Sequence, residues 1–215
     1  MITLKKIDQP QILKDKSEEW KNDLLDYINK GEKPPESIVG RYRHKEIKEA
    51  LKKETHHKCA YCESKITHID FGHIEHIVPK SIIHEKTYDW QNLTLACGTC
   101  NTNKGTYYDK TMPLLNPYKD KPENEIIFLG PVPMPRPGSN IGIITIKKLK
   151  LNRPELLERR KELIDKIMPL LHLYEQTTND SLRIQLYEDI IEYTKPDKEY
   201  SSMVKGVLDQ LKITS

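Results

Sequence analysis

No apolar run in these 215 residues approaches the ~20 that span a bilayer, which excludes a helical membrane anchor. The opening residues, Met1-Ile2-Thr3-Leu4-Lys5-Lys6, hold no apolar signal core, so a cytoplasmic chain is expected. An excess of one charge is also missing. Lys and Arg number 35 against 32 Asp and Glu, and a net charge of +3 is too small a bias to carry nucleic-acid binding alone. There is no internal repeat and no low-complexity segment. Cysteine is scarce, four in all, and all four lie in two Cys-x-x-Cys pairs. Without an export signal that usage points to a metal and not to disulfides. The chain is polar, 31% charged and 36% hydrophobic, yet long enough to bury the core of one domain or two small ones.

Along the chain, Ser17 reads as a helix cap with Glu18 and Glu19 in the first turn. Trp20, Leu24, Tyr27 and Ile28 share one face, and Gly31 is the stop. A second helix is predicted over Lys45–Glu54, with Ile47, Ala50 and Leu51 facing inward. Arg41, Arg43, Lys45, Lys48, Lys52 and Lys53 form a basic face, either solvated or turned towards phosphate. Gly72 to Pro79 and Asn92 to Cys97 read as strands, with residues 80–91 as the loop between them and a short helix from Asn101 to about Tyr108. Residues 111–140 are proline-rich, with one strand at Glu125–Leu129. Another strand is predicted at Ile141–Ile146. Asn152 reads as the cap of a long helix that Pro169 should kink or end. Two further helices are expected near 180–194 and 200–213.

The stretch Cys59–Lys104 organises the rest. Thirty-four residues separate the Cys59/Cys62 pair from the Cys97/Cys100 pair. Two Cys-x-x-Cys turns can place four thiolates round one zinc, a closed and therefore structural site. The gap exceeds that of a simple zinc ribbon, so something is inserted between the two halves. Closing the site holds Asn101, next to Cys100, against the frame.

The insert carries Glu75-His76-Ile77-Val78-Pro79-Lys80, then Asn92, and the closing string is Leu95-Ala96-Cys97-x-x-Cys100-Asn101-x-x-Lys104-Gly105. These strings resemble the HNH (ββα-metal) endonuclease motif. The resemblance implies His76 as the general base that activates water. It implies Glu75 and Asn101 as ligands of a catalytic Mg2+ or Mn2+, Asn92 as the residue that shapes the loop and aims His76, and Lys104 as a phosphate contact. HNH enzymes mostly carry Asp or His where this chain has Glu75, one methylene longer. Neighbouring strand residues point to opposite faces, so a bulge or strong twist is predicted at Glu75–Ile77 to bring Glu75 and His76 to one site. His73 reads as a packing residue or an extra ligand, His84 as a loop residue near substrate or at the surface, and His56, His57 and His68 as surface residues near the zinc.

A closer resemblance rests on Arg41-Tyr42-Arg43-His44, Thr55 to Ile66, Leu115-Asn116-Pro117-Tyr118-Lys119-Asp120 and Leu151-Asn152-Arg153. These runs are similar to the PtuB-like HNH nucleases of Septu and retron anti-phage defence systems. That implies a nuclease cutting nucleic acid, double-stranded DNA first, alongside an ABC/SMC-type (PtuA-like) ATPase partner, with the C-terminal helices either its docking surface or plain core support. RNA cleavage, or a non-catalytic zinc-stabilised nucleic-acid-binding adaptor, are the alternatives. The expected fold is α+β and mainly helical. A zinc-stabilised ββα-metal module (56–110) is embedded between an N-terminal helical region (1–55) and, beyond a proline-rich connector with short strands (111–150), a C-terminal helical region (151–215).

Overall fold

The computed structural model describes residues 1–66 and 72–213, so the expectation for His68 lies outside the described residues. The first helix, α1 (Gln11–Asn29), opens behind Pro10 and not at Ser17. Proline has no N–H to leave unpaired and a φ already suited to a helix start, and the Pro10 carbonyl accepts the amides of Leu13 and Lys14. Ser17 therefore sits inside the helix. Gly31, at φ +70°, turns the chain out as expected. A short helix, α2 (Glu36–Val39), runs into a 3₁₀ turn, Gly40–Arg43, that buries Tyr42. Helix α3 (Lys45–Glu54) has the predicted bounds, with Ile47 and Leu51 fully buried.

Strands β1 (His73–His76) and β2 (Leu93–Ala96) form an antiparallel pair, His73 opposite Ala96 and His76 opposite Leu93. The register is unbroken over 73–76, so of the bulge or strong twist predicted at Glu75–Ile77 no bulge forms within the strand. Pairing simply stops at His76. The Ile77 amide makes one more bond, to the Asn92 carbonyl at 2.9 Å, and the backbone then bends. Helix α4 (Gly98–Lys104) starts three residues before the predicted Asn101. Cys97 caps it, its sulfur accepting the Cys100 amide at 3.4 Å. A metal-binding cysteine thus doubles as the residue that starts the helix.

The proline-rich stretch holds more order than its composition suggests. Strand β3 (Ile126–Leu129) pairs with β4 (Val132–Pro135). Amides along a strand point alternately to either side. Prolines at 131, 133 and 135 all fall on the side away from β3, so none interrupts the ladder. The strand predicted at Ile141–Ile146 is instead helix α5 (Asn140–Lys148). Its β-branched run suits a strand locally. Ser139 overrides that preference, its hydroxyl accepting the Gly142 amide at 2.9 Å. Packing settles it: a Cβ at Gly142 would stand 2.4 Å from the Glu125 carbonyl.

Helix α6 (Pro154–Gln176) is capped at Arg153, one residue after the predicted Asn152, whose side chain donates to the Pro133 carbonyl. Pro169 does not end it. Ile167 and Leu171 are buried on either side of the proline, and that packing holds the helix through the lost bond. Helices α7 (Asp180–Glu192) and α8 (Ser201–Gln210) follow, α7 against α6 and α8 against β3. A single cluster of buried hydrophobic residues takes in Leu13, Leu51, Cys59, Leu95, Leu115, Phe128, Ile167 and Leu208, so both flanks of the cysteine stretch help to build its frame. Among the described residues no helix is long and apolar enough to cross a membrane.

Candidate active site and metal centre

The sulfurs of Cys59, Cys62, Cys97 and Cys100 lie within 4.8 Å of one another, with Cys62 and Cys97 3.9 Å apart. A tetrahedral zinc with Zn–S near 2.3 Å needs sulfurs ~3.8 Å apart, so the cluster fits a closed zinc site. The first knuckle closes through Glu63, at φ +66°, whose amide bonds the Cys59 carbonyl. The Glu63 carboxylate is buried and accepts from the Ser201 hydroxyl at 3.1 Å and the Ser202 amide at 3.3 Å, which ties the knuckle to the start of α8. Burial alone would raise its pKa. The Met1 ammonium and Lys58 outweigh burial and hold it at about 2. Arg153, the α6 cap, places Nη1 3.8 Å from the Cys100 sulfur. Four thiolates and one zinc carry a net negative charge, so a guanidinium there offsets it.

The second cluster is built on the β1–β2 hairpin. Asn92 is buried and makes three bonds: its Nδ2 donates to the carbonyls of Val78 at 2.9 Å and Lys86 at 3.0 Å, and its Oδ1 accepts the Val78 amide at 2.8 Å. The start of the 77–91 loop and a point near its middle are therefore pinned to one side chain. The next residue along that loop, Thr87, offers its carbonyl to His76 Nε2 at 3.0 Å. A carbonyl can only accept, so the proton sits on Nε2 and Nδ1 is left as the acceptor. His76 is 5% exposed. Burial pushes its pKa down to about 4, with Lys80, Lys104 and Arg43 adding to the effect against the Thr87 bond, so the ring is neutral at neutral pH. The Tyr42 ring meets His76 edge-on, centroids 4.6 Å apart.

Glu75 faces α4. Its Oε1 accepts from Lys104 Nζ at 2.6 Å, and the same ammonium donates to the His76 carbonyl at 2.7 Å. Burial raises the Glu75 pKa, and Lys104 and Lys80 oppose the rise. Glu75 and His76 thus take different immediate neighbours, while the ammonium groups of Lys80 and Lys104 act on both. Asn101 precedes Lys104 by one turn of α4. Because Lys104 reaches Glu75, the face carrying Asn101 is the one turned to β1. The side-chain amide of half-exposed Asn101 bonds no protein group among the described residues, and neither does the second Glu75 oxygen. Beside Glu75, the buried Tyr61 hydroxyl also lacks a partner among these residues. A carboxylate and an amide oxygen are hard donors of the kind Mg2+ prefers, so the residues present fit a divalent ion.

Lys104, expected at a phosphate, is 4% exposed and committed to Glu75. Three of the basic residues around α3 are paired with carboxylates: Arg41 with Asp23, Arg43 with Glu36 and Lys52 with Glu49. His73 is exposed at the head of β1, His84 is half-buried in the loop, His56 is half-buried and His57 exposed. Sequence reasoning left three residues without a role that the structure brings to the sites: Arg153 at the cysteines, and Tyr42 and Lys80 at His76. Each sits in one of the quoted strings. Their contacts span distant segments, so local spacing carried no signal for them.

Residues 59–106 match the family model of HNH endonucleases. The chain is 29% identical over 177 residues to the Septu protein PtuB of Bacillus thuringiensis, a match covering 75% of this chain and 68% of that protein. It is 28% identical over 220 residues to the Septu protein PtuB of Bacillus mycoides strain KBAB4, covering 77% of this chain and 74% of the relative.

Proposed function

From the premise that residues 59–106 are an HNH endonuclease domain and the chain a nuclease, we propose that it hydrolyses phosphodiester bonds of double-stranded DNA as the nuclease of an anti-phage defence complex with an ATPase partner. The observation that carries the reading is a pair of bonds at adjacent loop residues, Asn92 to the Lys86 carbonyl and His76 to the Thr87 carbonyl, which hold a neutral imidazole with Nδ1 left to accept. In the proposed reaction His76 Nδ1 takes a proton from water as the water oxygen bonds to phosphorus, and the P–O bond opposite breaks with its electron pair on the leaving oxygen. A Mg2+ or Mn2+ ion held by Glu75 and Asn101 supplies positive charge at the phosphate. Lys104 takes one Glu75 oxygen, which leaves the other oxygen for the ion. Zinc at the four cysteines builds the frame and takes no part in chemistry.

Residues 56–110 act as the catalytic unit in this reading, between the 1–55 helices and the 111–150 connector. The 151–215 helices dock the partner. In support of docking, Met168, Leu173, Leu182 and Ile184 on α6 and α7 are 47%, 53%, 45% and 60% exposed. The test is cleavage of plasmid DNA and of RNA with Mg2+ or Mn2+, with and without a PtuA-type ATPase. Metal-dependent nicking of plasmid is the expected result. Cleavage of RNA alone would move the substrate, and binding without cleavage under every condition would leave a zinc-stabilised adaptor.

A further inference from the structure

With Lys104 buried against Glu75, the substrate phosphate lacks an assigned cationic side chain. Two cations reach the ring of Tyr42, which also meets His76. Arg43 Cζ lies 5.3 Å from its centroid, but Arg43 is exposed and paired with Glu36. Lys80 Nζ lies 4.5 Å from the same centroid and donates to the Tyr42 hydroxyl at 3.1 Å. Among the described residues no carboxylate pairs with Lys80. A half-buried ammonium with one neutral partner keeps two N–H donors for an anion. Lys80 also follows Pro79, which follows Val78, and Val78 is the residue Asn92 holds at both backbone atoms. The network that aims His76 thus also fixes the root of Lys80.

We infer that Lys80 binds the substrate phosphate beside His76, and that Tyr42 is the positioning residue that aims it. The inference rests on the nuclease reading above and deepens it. The ligand is the phosphodiester of a nucleic-acid backbone, recognised by charge and blind to the sugar. Tyr42 is 6% exposed, so it meets the substrate only through Lys80 and His76.

The experiment uses the full chain with whatever partner activity requires. Lys80→Ala should lower kcat/KM about tenfold to a hundredfold, the range of a charged hydrogen bond, with zinc content and melting unchanged. Lys80→Arg should restore most of it. Tyr42→Phe keeps the ring and loses the hydroxyl, and should raise KM more than it lowers kcat. In a His76→Ala background, Lys80→Ala should flatten the salt dependence of duplex binding by about one unit of log–log slope. Cleavage by Lys80→Ala within about twofold of the parent, with an unchanged salt slope and with His76→Ala inactive, would overturn the inference and spare the nuclease reading. Should the parent and His76→Ala be equally inactive, the nuclease reading fails, and the salt slope alone still decides whether Lys80 contacts phosphate.

Discussion

The cysteine cluster and the His76 cluster share a peptide bond, Cys100–Asn101, and differ in almost everything else. The first is closed: four sulfurs from two knuckles, each knuckle shaped by its own short turn. In the proposed reading the second is open: one carboxylate, one amide and one imidazole drawn from a strand and a helix, aimed by a loop. A closed soft-donor site contributes folding free energy, whereas an open hard-donor site contributes reactivity. Damage to the two should therefore separate cleanly.

The largest effect is expected at the sulfurs. Cys97→Ser removes a zinc ligand while its hydroxyl can still cap α4, so the chain should lose its zinc and, with it, its cooperative melting transition, measured by chromophoric zinc assay and circular dichroism. Native melting with zinc retained would contradict the closed-site account. Next, a brief chelator treatment should abolish cleavage without unfolding, and added Mg2+ or Mn2+ should restore it. Slow zinc loss under the same chelator should not be reversed by Mg2+. A single metal population that serves both purposes would erase the distinction between the sites.

Asn92→Ala tests the link between loop and base. It strands three backbone partners, each worth about 1–3 kcal/mol when left unsatisfied and buried. We expect a loss of about 2 kcal/mol or more in a denaturant titration, with cleavage reduced beyond what the unfolded fraction explains. The smallest effect is expected at Arg153. Arg153→Ala should weaken zinc affinity several-fold in a competition titration and leave cleavage by the zinc-loaded protein unchanged, because the guanidinium meets the Cys100 sulfur and nothing at His76.

The same contrast explains what was legible in the sequence. The cysteine spacing is a local signal and a specific one, and all four sulfurs converge. Helix α3 and the two strands within the insert were readable from the 3.6 and 2.0 periods. Other features depend on segments far apart in the chain. The Ile141–Ile146 run carries strand propensity, and Ser139 with the tight Gly142–Glu125 approach made it helical. Pro169 is tolerated because Ile167 and Leu171 are buried around it. A bulge or strong twist was expected at Glu75–Ile77 on the premise that adjacent strand residues must turn to one point. Instead the strand ends at His76, and Glu75 and His76 stay on their own faces within reach of the same two lysines. Asn92 was read as the residue that shapes the loop and aims His76, and it makes three bonds to the backbone of Val78 and Lys86. Lys104 was placed from its string alone, and only the packing of α4 on β1 showed that it is buried.

The most direct test is His76→Ala measured for cleavage, zinc content and melting on one preparation. General-base loss predicts a fall in metal-dependent cleavage of about a hundredfold to ten-thousandfold, with zinc and melting as in the parent. Cleavage retained at the parent rate would contradict the account.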